Sequence, residues 1–99
     1  MKLWIDDIRP VPEGYVWAQS VLMAKAIIEA REEDNIQIEL IDIDHDAGEY
    51  AVDGGDYIKL LDWLEETGRD YPIRIHSMNV VGRENMRAII QRNNWKEVL

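Results

Sequence analysis

Apolar positions along the chain follow two periods, and the switches between them mark out the elements. Lys2–Asp6 reads as a short strand, with Leu3 and Ile5 on one face and Trp4 on the other. Ile8–Gly14 holds two of the three prolines and cannot be regular helix. Tyr15–Gln19 reads as a second short strand. Ser20 then suits the N-cap of a helix over Val21–Glu33, whose Val21, Met23, Ala24, Ile27, Ile28 and Ala30 form a broad apolar face. From Ile36 to Gly48 the chain first alternates and then becomes nearly continuously apolar. Ile36, Ile38 and Leu40 fall on one side of a strand, Ile41 and Ile43 on the other. Such a strand predicts a sheet covered on both faces.

In the second half, Tyr57, Leu60, Leu61 and Leu64 stand at helical spacing. They predict a helix over Gly55–Thr67, capped by Asp53 and stopped by Gly68. Pro72 opens a strand over Ile73–His76, and Ser77-Met78-Asn79 leaves it. A last helix over Gly82–Asn93 turns Met86, Ile89 and Ile90 inward, and Trp95–Leu99 is a packed tail or a brief edge strand. The order β-β-α-β-α-β-α predicts an α/β domain with a mostly parallel sheet ordered 2-1-3-4 and helices on both faces, a small three-layer sandwich. One connection strains this scheme. The route from Asp7 to Tyr15 is short, since parallel strands usually need about a dozen residues between them.

Composition narrows the classes. Ninety-nine residues make a single domain over 1–99 with one core. A net charge of −9 argues against duplex nucleic acid as a partner, but a metal can still bridge an acidic pocket to one phosphate. With no cysteine there is no disulfide, thiol chemistry or Cys-ligated zinc. No apolar run is long enough for a membrane span and no signal-peptide pattern opens the chain, so a cytoplasmic location is the expectation.

The strands deliver Asp6-Asp7, Asp44-His45-Asp46 and His76-Ser77 to their carboxyl ends, where open α/β sheets bind ligands. Gathered carboxylates repel one another unless a cation or proton relieves them. An all-oxygen set suits Mg²⁺ or Mn²⁺, with Asp6 and Asp7 joined by a ligand from Asp42, Asp44 or Asp46, which strand alternation puts on one side. Asp42, Asp44 and Asp46 also match the start of a calcium-binding EF-hand loop. That reading fails because Ala47 stands where a glycine is wanted and Asp53 where a glutamate is. His45 and His76 are candidates for proton transfer. Arg9, Ser77, Asn79 and Arg83 are candidates for holding phosphate oxygens, the last two because they flank a helix start.

Acid pair, acid and hydroxyl after successive strands resemble the receiver domain of two-component signalling. That resemblance implies Mg²⁺ at Asp6, Asp7 and Asp44, phosphate acceptance at Asp44 and a phosphoryl contact from Ser77. Two features depart from it. A receiver has a helix between its first two strands, and a fifth strand and helix with a Lys, for which Lys96 is the only nearby candidate. A closer resemblance lies in LWIDDIRP at Leu3–Pro10, DHDxG at Asp44–Gly48 and HSMNxxGRENM at His76–Met86. Together these are similar to the cyclic-phosphate processing receiver family, a shortened receiver derivative. The resemblance implies a receiver-like, flavodoxin-like fold truncated at its C-terminus. It further implies handling of a cyclic or terminal phosphate on a nucleotide or RNA end. The expected activity is a metal-dependent phosphoesterase or cyclic phosphodiesterase, with Asp44, His45 and His76 at the chemistry. The alternative is a signalling module that senses or accepts a phosphoryl group on Asp44 without turnover.

Overall fold

Four short parallel strands form the centre of the computed structural model, which describes Met1–Leu99 throughout. The strands are β1 (Lys2–Ile5), β2 (Tyr15–Ala18), β3 (Leu40–Ile43) and β4 (Ile73–Ile75), in the order β2-β1-β3-β4. The helices are α1 (Val21–Glu33), α2 (Ile58–Glu66) and α3 (Val80–Arg92), with a 3₁₀ turn over Gly48–Val52. The α/β class, the strand order and the three helices are as the sequence predicts.

Register sorts the strand residues cleanly by face. Leu3 pairs with Val16 and Ile41, Ile5 with Ala18 and Ile43, and the last two isoleucines with Ile73 and Ile75. These eight share one face, because directly paired residues project to the same side. All but Val16 join one cluster of 20 buried residues, with Val16 packed against it. That cluster also takes Val21, Ala24 and Ile28 of α1, Leu60, Leu61 and Leu64 of α2, and Met86, Ile89 and Ile90 of α3.

The other face carries Lys2, Trp4, Tyr15, Trp17, Leu40, Asp42 and Arg74, and none of them belongs to the core cluster. All three helices therefore cover one face. The expectation of helices on both faces does not hold, and topology gives the reason. The crossovers through α1 and α2 both run from the β2 side toward β4, and right-handed crossovers in one direction place their helices on one side. Only a helix between β1 and β2, where the chain steps the opposite way, would have covered the second face.

In place of that helix the loop after β1 is held by side chains. Asp6 Oδ1 accepts the amides of Ile8 and Arg9 at 2.9 and 2.8 Å. The Trp17 indole donates to the Asp6 carbonyl at 2.8 Å, and the Trp4 indole to the Arg9 carbonyl at 3.3 Å. A parallel β1–β2 pair thus forms without a crossover helix.

Three boundaries differ from the sequence reading. β3 begins at Leu40 rather than Ile36, because its neighbour β1 begins at the paired Lys2 and Ile36 has no strand to lie against. α2 starts at Ile58, since Gly54 and Gly55 hold φ of 111° and 91°, outside helical space. Asp53 does not cap α2. Its carbonyl instead accepts the Leu22 amide at 3.1 Å and ties the loop to the start of α1. α3 starts at Val80, two residues early, because Asn79 caps it by accepting the Gly82 amide at 2.9 Å. The tail makes a rudimentary fifth edge. Glu97 bridges Ile73 in parallel, the Ile73 amide reaches the Lys96 carbonyl, and Trp95 is buried.

Candidate functional site

Asp6, Asp7, Asp44, Asp46, Arg9, Ser77 and Asn79 line one open pocket of about 340 Å³ at the carboxyl ends of β1, β3 and β4, together with Ile8, Gly48 and Met78. Seven of the candidates read from sequence are thus brought together. His45, His76 and Arg83 are not in its walls. Lys96 does not reach it either; it is exposed and contributes its carbonyl to Ile73.

Asp6 is 1% exposed, and both of its carboxylate oxygens are bonded. Oδ1 takes the two loop amides, and Oδ2 lies 2.9 Å from His76 Nε2. Burial alone would raise its pKa, but these amide bonds and His76 outweigh it and hold the carboxyl below its usual value. The other ring nitrogen of His76, Nδ1, lies 2.7 Å from Asp42 Oδ1, and the Tyr15 hydroxyl donates to Asp42 Oδ2 at 3.3 Å. Trp4 stacks on the His76 ring at 3.9 Å between centroids, with the two planes nearly parallel. Burial pulls His76 down, yet the two carboxylates win and raise its pKa. A carboxylate oxygen at each ring nitrogen favours the imidazolium form, in which both nitrogens donate. Arg9 closes the arrangement by donating from Nη1 to the His76 carbonyl at 2.9 Å.

The residues sequence reasoning missed are therefore Trp4 and Tyr15. Strand parity held the clue: Trp4 pairs with Trp17 and Asp42, and Lys2 with Tyr15, so all of these share the open face. His76 continues β4 onto that face as the Asp6–Asp42 bridge.

Asp7 shows the strain of the acid cluster. Burial raises its carboxyl above the ordinary value, and Asp6, Asp44 and Asp46 push it further. Gly48, at φ 56°, lies so close that a Cβ there would press on Asp7 Oδ2. His45 folds away, with Nδ1 2.9 Å from Asp46 Oδ1 and its ring against Gly82, where a Cβ would meet the ring Cγ at 2.5 Å. His45 therefore stays out of the pocket's walls and meets them through Asp46, with Asn79 Nδ2 3.4 Å from its Nδ1 and its own backbone amide on Asp44 Oδ1 at 2.7 Å. Ser77, also buried, accepts the Asn79 amide on Oγ at 3.0 Å.

The donor set fits a hard divalent cation. One ligand atom each of Asp6, Asp44 and His76 lie within 4.8 Å of one another. With Asp42 on Nδ1 and Asp6 on Nε2, His76 is also the hydrogen-bond partner that orients Asp6. Asp7 adjoins Asp6 and Asp44 in the lining of the same pocket. Asp46 lines the same pocket on its His45 side.

No curated protein and no solved structure gives a significant match to the chain. The profile of the cyclic-phosphate processing receiver domain matches residues 1–92, which takes in every strand and helix described above and stops short of the tail. The chain belongs to the cyclic-phosphate processing receiver domain family.

Proposed function

We propose that this domain is a metal-dependent phosphoesterase acting on a cyclic or terminal phosphate of a nucleotide or RNA end. The observation that carries the reading is one pocket in which Asp6, Asp7, Asp44 and Asp46 face the same space as Arg9 and Ser77. Carboxylates alone would repel a phosphate, whereas carboxylates holding a cation attract one. The family's name points to cyclic phosphates as the chemical class.

Asp6, Asp7 and Asp44 would hold Mg²⁺ or Mn²⁺, which supplies positive charge against the phosphoryl oxygens when bound. Ser77 Oγ, which accepts one amide already, keeps its proton to donate to a phosphoryl oxygen. The Arg9 guanidinium, anchored through Nη1, presents its remaining N–H groups to a second oxygen. Such fixed donors favour the transition state because they need no reorganisation as charge shifts. Asp46 is the exposed carboxylate of the pocket and is backed by His45. It is the group placed to take a proton from an attacking water, with His45 holding its carboxylate in place.

The test is turnover of 2′,3′- and 3′,5′-cyclic nucleotides with and without Mg²⁺, in wild type and in Asp44→Asn. Metal-dependent ring opening that Asp44→Asn abolishes supports the reading. No turnover, with a stable acid-labile adduct on Asp44 after incubation with a small phosphodonor, would replace it by the phosphoacceptor module.

A further inference from the structure

Beside the acidic pocket lies a second cleft of about 350 Å³, lined by Met78, Val80, Arg83, Glu84 and Arg87. Met78 is common to both and forms the wall between them. Its side chain is 80% exposed, and Val80 on the first turn of α3 is 72% exposed. Apolar side chains left this open at the edge of a polar pocket are available to a ligand's flat face.

The two arginines of the cleft differ in one respect. Arg87 is engaged by Glu97 through Nε and Nη2 at 3.0 and 2.7 Å, with Glu84 at 3.9 Å from Nη1. Arg83 has no carboxylate partner. Its one hydrogen bond runs from Nη1 to the Ser77 carbonyl, at 3.4 Å. In a chain of net charge −9, an uncompensated guanidinium facing a cleft is a place for an anion.

We propose that this cleft is a second subsite, which binds the nucleotide preceding the terminal phosphate. Its phosphodiester sits on Arg83, and its base lies against Val80 and Met78. The inference rests on the phosphoester reading above and specifies it: the preferred ligand has at least two nucleotides, not one. The phosphate held in the acidic pocket and the diester on Arg83 lie on either side of Met78. A guanidinium matches a phosphodiester in a planar, two-pronged contact, which a lone point charge does not offer. The shared wall explains why Met78 is exposed, since it would pack between the two ligand units.

The test compares two probes in Mg²⁺ by calorimetry: adenosine 2′,3′-cyclic phosphate, and the dinucleotide ApA ending in the same cyclic phosphate. The dinucleotide is expected to bind about tenfold more tightly or better, the equivalent of about 1.4 kcal/mol. Arg83→Gln should bring that ratio close to one. Val80→Glu, at an exposed position that places a carboxylate beside the diester, should do the same. Equal affinities in wild type, or a preference that survives both substitutions, would overturn the subsite and leave the phosphoester reading standing. If neither probe binds, the phosphoester reading fails and the subsite with it.

Discussion

His76 is the residue on which the arrangement at the strand ends turns, although it does not face the pocket. Its imidazolium joins Asp6 to Asp42, and both acids are almost fully buried. Removing it leaves Asp42 and Asp6 buried without the ring that joins them, although Asp6 keeps its two loop amides. Loss of one partner from a buried pair typically costs about 3–5 kcal/mol. His76→Ala is expected to lose that much in urea unfolding. The pH dependence has a defined sign. The raised pKa of His76 contributes stability fully below its ordinary value of 6.5, and this is lost as pH rises through the raised value. The lowered pKa of Asp6 contributes stability above its ordinary 3.8, and this is lost as pH falls through the lowered value. The network should therefore stabilise most between these two limits. Trp4 provides the readout, because a stacked imidazolium quenches indole emission. Fluorescence should rise with pH through a midpoint above 6.5, and Trp4→Phe should remove that step. A midpoint below 6.5 would contradict the bridge.

Asp7 is expected to behave in the opposite sense. Its pKa is raised by burial and by neighbouring acids, so its charged form opposes folding near neutrality. Asp7→Asn should raise the melting temperature of the metal-free protein. Equal or lower stability would show that the repulsion is already relieved.

At the scale of elements, the first turn of α3 is shaped around His45. Gly82 costs the helix about 1 kcal/mol relative to alanine. An added Cβ, however, would lie 2.5 Å from the His45 Cγ, an atom that cannot move aside by rotation of the ring's far end. Overpacking of this kind costs about 1–3 kcal/mol, so Gly82→Ala should be destabilising by about 1 kcal/mol net. A gain in stability on thermal unfolding would show that the ring yields freely. Element identities were readable from local pattern wherever the signal was strong: the Tyr57–Leu64 spacing, the Ser20 cap that accepts the Met23 amide, and Gly68 at φ 68°. The acids at the strand ends were readable for the same reason, because they directly follow apolar strands. Features that depend on distant pairing were not. Ile36 looks like strand by pattern but has no neighbour to pair with, and Asp53 resembles a cap until two glycines turn the chain away. The His76 bridge depends on β3–β4 and β1–β3 register, which no local window contains.

For the whole molecule, the absence of a helix between β1 and β2 leaves one sheet face bare of helices. Trp4, Trp17 and Tyr15 occupy it, with the loop after β1 held by the two indoles. The same loop carries Asp6, Asp7 and Arg9 into the pocket, so the shortened fold and the site share one piece of chain. The claim at the centre is that this chain end and the ends of β3 and β4 form a single divalent-cation site. Calorimetric titration with Mn²⁺, compared between wild type and Asp44→Asn, tests it most directly. Wild type should bind one ion and, at a hundredfold excess over Kd, gain about 2.7 kcal/mol of stability. Asp44→Asn should show neither binding nor stabilisation. Equal heats and equal melting shifts for the two proteins would contradict the site.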